Sequence, residues 1–133
     1  DAIANREMPC THNWHANVAL NISLKALIDE GLENSFIRHN EVAAYCRSMV
    51  KKFGLDLYAA DEKLSSPTVT AVKIPDGWTW PRLDSALRTH GMAVGGSYGD
   101  LYGKVFRIGH MGTQADMDLV IRGMSVLSDV LKI

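Results

Sequence analysis

Apolar residues recur with helical spacing in four stretches of the chain. The first runs from Trp14 to a stop at Gly31, and the second runs from Leu32 to Phe53 with Gly54 beyond it. The third follows Thr79, a residue suited to cap a helix. The fourth follows Thr113, which we expect to be its N-cap, with Asp116 three residues on in a variant of the capping box. The pattern therefore predicts four helices.

Alternating apolar and polar residues predict short strands between these helices. The clearest is 68–74, which is rich in β-branched residues. We expect two further short strands at 55–58 and 92–94, and a buried strand at 105–108 that carries Arg107 inside the core. The order of elements predicts an α+β fold, with a mostly antiparallel sheet of three to four strands covered by helices on one face.

Composition and charge exclude several classes of function. A chain of 133 residues is the size of one domain. Its 14 basic and 15 acidic residues give a net charge of -1, which indicates no nucleic acid and no membrane surface as a partner. Cys10 and Cys46 are too few for a disulfide framework or a metal site, and no apolar run is long enough for a membrane span. We therefore expect a soluble, cytoplasmic protein without a metal site.

Arg107 is the main candidate for chemistry, because a buried guanidinium keeps its proton and needs an anion that accepts its paired donors. The anion is either a carboxylate of the protein or the carboxylate of a small substrate, and spacing alone leaves both open. The internal candidates are Asp84, Asp100 and Asp116. His110 follows closely and is either a turn residue or an acid-base group, although no nucleophile pairs with it.

A loop with four glycines and two tyrosines, residues 95–103, leads into the Arg107 strand. Its sequence matches neither the dinucleotide-binding glycine pattern nor a P-loop, so a phosphate cradle is the weaker interpretation. The glycines are better explained by a backbone that runs close to a ligand or a partner surface.

Four segments in order resemble the carboxyl-terminal part of class V pyridoxal-phosphate aminotransferases. The similarity is greatest to the alanine-glyoxylate and serine-pyruvate aminotransferase branch, and it extends from about Met8 to the end of the chain. The segments are GLENS at 31–35, RHNEVAAY at 38–45, PTVTAV at 67–72 and GKVFRIGHMG at 103–112.

The resemblance implies a fold and two site residues. The chain is then the small carboxyl-terminal domain of a fold-type I enzyme, with residues 1–30 as an arm and helix linking to an absent large domain and 31–133 as the small domain. Arg107 takes the position that binds the substrate carboxylate, and Thr11 the position that reaches the cofactor phosphate of the neighbouring subunit. Met8 stands where the family often has a tyrosine on the same phosphate, a departure that puts half of this clamp in doubt.

The resemblance also implies what this chain lacks. In the family, the Schiff-base lysine and the groups that hold the cofactor ring belong to the large domain, so we expect no catalytic residue here and no activity from the chain alone. A start at Asp1 rather than Met fits a piece of a longer chain. The implied parent is a homodimer that holds pyridoxal 5'-phosphate mainly through its large domain and moves an amino group from alanine or serine to glyoxylate or pyruvate. The alternatives are a free-standing regulatory module that binds a small carboxylate without catalysis, and a purely structural domain with an internal partner for Arg107.

Overall fold

A computed structural model describes residues 4–5 and 11–133. The chain divides into two compact units, Asp1–Ser35 and Phe36–Ile133, and this boundary lies five residues after the one expected from the sequence. The expectations for Met8 and Cys10 fall outside the described residues. Within the described part of the chain, no helix combines the length and the apolar character needed to cross a membrane.

The four predicted helices are present. They are α1 (Trp14–Glu30), α2 (Leu32–Lys52), α3 (Trp80–Thr89) and α4 (Met117–Leu131). Three single turns of 3-10 helix lie between them, at Glu62–Leu64, Gly99–Leu101 and Gly112–Gln114.

The sequence predicts N-caps for two of these helices, and the structure places Thr79 at the predicted position but not Thr113. Asn13 caps α1 by accepting a hydrogen bond from the amide of Ala16. Thr79 occupies the N-cap position of α3, but its side chain makes no capping hydrogen bond. Thr113 is not the cap of α4, because it lies within a separate 3-10 turn, and the cap is Asp116, which accepts from the amide of Leu119 at 2.8 Å.

The sheet has two strands, β1 (Val69–Lys73) and β2 (Val105–Gly109), paired antiparallel. The expected count of three to four strands is therefore not met. The predicted segment 55–58 contributes one isolated bridge, Leu57 to Val72, whereas residues 92–94 form no strand and the residue that follows them makes the other bridge, Gly95 to Arg107. Each bridge leaves the ladder after a single residue, which is too short a pairing to form a strand.

The core of unit 36–133 lies on one face of this sheet. Val72, Phe106 and Ile108 point to that face and pack with apolar residues of α2, α3 and α4. Since side chains alternate along a strand, Ala71 and Arg107, which oppose each other in the register, point to the other face. The helices thus cover the face away from Arg107. Their members of the core are Val42, Cys46, Val50, Leu83, Leu87, Val120, Met124, Leu127 and Val130.

Helix α1, in the other unit, has no buried residue. Six large apolar side chains along it are exposed, namely Trp14, Val18, Leu20, Ile22, Leu24 and Ile28. At about 100° per residue they fall within an arc of about 200°, broader than the stripe of an ordinary amphipathic helix and typical of a helix that other protein covers over much of its circumference.

Candidate functional site

Arg107 is fixed by pairing on both edges of β2. On one edge it lies opposite Ala71 of β1. On the other it exchanges two backbone hydrogen bonds with Gly95, of 2.7 Å from the Arg107 amide and 3.0 Å from the Gly95 amide. Its side chain is half-buried and leaves the sheet on the face opposite the core. The sequence expectation that Arg107 lies inside the core is wrong, because the pleat that buries Phe106 and Ile108 turns Arg107 the other way.

The guanidinium of Arg107 is held by one hydrogen bond and one aromatic ring. Its Nε donates to the carbonyl of Gly96 at 2.9 Å. Its Cζ lies 5.4 Å from the centre of the Tyr98 ring, within the range of a cation-π contact. Within the described part of the chain, Nη1 and Nη2 donate no hydrogen bond and Arg107 forms no ion pair. Both terminal nitrogens are thus left for an external anion.

None of the three internal carboxylates considered as partners of Arg107 forms an ion pair with it. Asp84 pairs with Arg88 one turn along α3, at 2.9 Å. Asp116 caps α4. Asp100 is exposed within the 3-10 turn Gly99–Leu101. No described carboxylate therefore forms an ion pair with Arg107.

Of the two glycines at 95 and 96, Gly96 is required by a close contact within the protein, whereas a Cβ at Gly95 would make an ordinary van der Waals contact. A Cβ added at Gly95 would lie 3.4 Å from Nη2 of Arg107. A Cβ at Gly96 would lie 2.8 Å from Cε2 and 2.9 Å from Nε1 of Trp80, distances at which a side chain cannot be accommodated without a shift. The loop thus runs close to Arg107 and Trp80, and no sequence pattern had marked Trp80 or Tyr98.

His110 lies in the core and not beside the Arg107 guanidinium. It is 0% exposed, and its Nε2 shares a hydrogen bond of 2.8 Å with the hydroxyl of Thr70, while Nδ1 has no partner. Burial lowers the pKa of His110, which favours the neutral ring. Burial raises the pKa of the nearby Cys46 thiol, and Thr70 partly opposes this shift. These three residues form a buried polar cluster, and nothing in it resembles an activated nucleophile.

Thr11 and Arg107 belong to different units. Thr11 is exposed and lies two residues before the N-cap of α1. Its hydroxyl makes no hydrogen bond with a described residue, so it can supply one donor to a phosphate, although it does not form a phosphate cradle by itself. Within 4–5 and 11–133, no group of three histidine, cysteine or acidic side chains is arranged to hold a metal ion.

The chain matches no family model, but it is similar to several curated aminotransferases. It is 43% identical over 98 residues to L-aspartate–glyoxylate aminotransferase of Paracoccus denitrificans, covering 73% of this chain and 25% of that protein. It is 36% identical over 115 residues to alanine–glyoxylate aminotransferase of Felis catus, covering 86% and 28%. It is 34% identical over 128 residues to pyridoxamine–pyruvate transaminase of Mesorhizobium japonicum, covering 96% and 33%. The chain thus spans a quarter to a third of the length of these relatives.

Two solved structures have the same fold over nearly all of the chain. The crystal structure of alanine–glyoxylate aminotransferase from Nostoc sp. matches 96% of this chain and 34% of its own, with a TM-score of 0.86 and 32% identity. That of pyridoxamine–pyruvate aminotransferase from Mesorhizobium loti matches 94% and 32%, with a TM-score of 0.90 and 32% identity.

Proposed function

This chain belongs to the class V aminotransferase family, and we propose that it is the small carboxyl-terminal domain of a pyridoxal-phosphate-dependent aminotransferase. The membership confirms the resemblance read from segments such as 103–112. The proposed parent is a cytoplasmic homodimer that moves an amino group from alanine or serine to glyoxylate or pyruvate. The acceptor is supported by the names of the relatives, which are glyoxylate or pyruvate aminotransferases with different amino donors.

The observation that carries the proposal is the state of the Arg107 guanidinium. It is half-buried, held at Nε, and without a carboxylate among the described residues. A planar fork of two donors matches a planar carboxylate, and such charge-assisted pairs are stronger than neutral hydrogen bonds. We assign Arg107 to the carboxylate of the amino acid and of the keto acid, which it orients for reaction as well as binds.

The cofactor is assigned mainly to parts of the parent protein other than this chain. Pyridoxal phosphate, when bound, supplies the electron sink that amino transfer needs. The residue of this chain that we assign to the cofactor is Thr11. Its exposed hydroxyl would donate a hydrogen bond to the phosphate of the cofactor held by the neighbouring subunit. We assign no covalent attachment to a lysine of this chain, and we therefore propose that the chain alone is inactive.

The exposure of α1 supports a larger parent. Trp14, Ile22 and Ile28 are 70%, 65% and 72% exposed, and together with their apolar neighbours they cover the helix on several sides. Apolar surface of this extent is costly in water and is characteristic of an interface. We propose that the large domain of the same enzyme covers α1.

The test is the visible absorbance of the natural protein that contains this chain, purified with pyridoxal phosphate and then mixed with alanine. The proposal predicts a cofactor band that changes when alanine is added and returns when glyoxylate or pyruvate follows. A protein that binds glyoxylate but forms no cofactor band would overturn the proposal. It would instead favour the regulatory module that binds a small carboxylate without catalysis.

A further inference from the structure

We infer that Trp80 is a positioning residue for the guanidinium of Arg107. The inference rests on the proposed function, since it concerns the same carboxylate site. Trp80 makes neither a hydrogen bond nor a cation-π contact with the guanidinium, and its effect is instead exerted through the backbone of Gly96.

The first step is the contact between Trp80 and Gly96. The indole atoms Cε2, Cζ2 and Nε1 of Trp80 face the α-carbon of Gly96. A Cβ built on Gly96 would lie 2.8–2.9 Å from these atoms. Trp80 is the first residue of α3 and is half-buried against the core. Its ring thus packs between Gly96 and the core at the start of that helix.

The second step is the contact between Gly96 and Arg107. The carbonyl of Gly96 accepts the Nε hydrogen bond at 2.9 Å, which fixes the direction of the guanidinium plane. The neighbouring Gly95 lies against Nη2, and the Tyr98 ring lies over Cζ. Since Nε is already used, the edge formed by Nη1 and Nη2 is the one left for a ligand. The geometry points to a carboxylate that binds end-on across this edge, with Trp80 holding the peptide that sets the angle.

If Trp80 only contributes packing, its replacement should affect stability alone; if it positions Arg107, its replacement should also affect substrate binding. Trp78 provides a matched control. Trp78 lies two residues earlier, is also half-buried against the core, and contacts Arg82 at 4.2 Å from the ring centre. The three atoms nearest to a Cβ at Gly96 all belong to Trp80, and the guanidinium of Arg107 has its hydrogen bond to Gly96 and its cation-π contact with Tyr98, not with Trp78. Replacement of Trp78 removes similar packing without releasing the Gly96 carbonyl.

The experiment uses the natural protein that contains this chain, loaded with its cofactor, and measures KM and kcat for the keto acid together with thermal unfolding. Trp80→Leu should raise KM by about tenfold or more, because a small displacement of a carboxylate-orienting group has large kinetic effects. Trp80→Phe, which keeps an aromatic ring, should recover part of this loss. Trp78→Leu should lower the unfolding temperature comparably but leave KM within about twofold.

The inference is overturned if Trp80→Leu and Trp78→Leu have the same KM at comparable stability. If Trp80→Leu does not fold, Trp80→Phe and Gly96→Ala decide the matter, since both should raise KM and an unchanged KM in both would contradict the inference. Arg107→Ala separates this result from the proposed function. A normal KM in Arg107→Ala overturns the proposed role of Arg107, whereas a raised KM there with normal Trp80 variants overturns only the role of Trp80.

Discussion

Phe106 tests whether the sheet faces are assigned correctly, since its burial is what turns Arg107 away from the core. Phe106 is 0% exposed and opposes Val72 across the sheet. Truncation of a fully buried phenylalanine to alanine costs about 3–5 kcal/mol, and the upper half applies where the surroundings cannot collapse into the cavity. Next to Phe106 the strand is paired to β1 on one edge and to Gly95 on the other, which limits such collapse. Phe106→Ala should therefore remove a large part of the roughly 5–15 kcal/mol typical of a domain.

The assay is urea unfolding of the chain followed by circular dichroism, with Tyr102→Ala as the control. Tyr102 is 64% exposed and lies just before β2, so its loss should change the free energy of unfolding by no more than about 0.5 kcal/mol. A loss of less than about 1 kcal/mol for Phe106→Ala, far below the cavity range, would refute the burial of this side chain. The placement of Arg107 on the open face would then have no basis.

Two further predictions concern the cap of α4 and the buried histidine. Asp116→Ala should lower the free energy of unfolding by about 1 kcal/mol in urea titrations, because the Leu119 amide loses its acceptor. Thr113→Ala should have little effect, and the reverse order would contradict the assigned cap. Burial holds the pKa of His110 below its ordinary value of 6.5, so the unfolded chain takes up this proton before the native one does. Stability should therefore fall as pH drops below about 6.5, and His110→Gln should reduce this dependence between pH 7 and 5. An identical dependence in the variant would contradict the prediction.

The helices could be predicted because their signal is repeated many times along each one. Residues 14–30 and 32–52 contain several turns of apolar spacing, and the glycine between them, Gly31, has the positive φ of +86° that such a break favours. The cap of α4 could not be read so directly, because Thr113 and Asp116 are both good cap residues. Only the local backbone, with its extra 3-10 turn, decides between them.

The strands were harder to predict because a strand is defined by its partner. The segments around Leu57 and Gly95 have suitable side chains, but each pairs for only one residue. The direction of Arg107 was present in the sequence, since Phe106 and Ile108 alternate with it and a period of two separates their faces. The apolar run at 105–108 also fits a strand buried on both faces, and the alternation alone does not decide between the two.

The surroundings of Arg107 divide into predictable and unpredictable parts. Arg107 was marked by its charge within an apolar run, and its family role stays a proposal. Trp80 and Tyr98 could not be identified, because each is an aromatic residue without a charge or a motif. Their relation to Arg107 depends on a loop bringing distant positions together, as the 2.9 Å bond from Nε to the Gly96 carbonyl does. Contacts of this kind leave no periodic trace in one sequence.

The central claim, that Arg107 binds the substrate carboxylate, is tested most directly by comparing alanine with alaninamide as amino donors for the natural protein that contains this chain. The amide keeps the amine and the methyl group but lacks the negative charge. Since charge-assisted hydrogen bonds contribute about 1.5–3 kcal/mol each, kcat/KM should favour alanine by about a hundredfold or more. Arg107→Gln should lose most of this preference while its activity on the amide changes little. If Arg107→Gln retains the full preference for alanine, the carboxylate is bound elsewhere and the account of this site is contradicted.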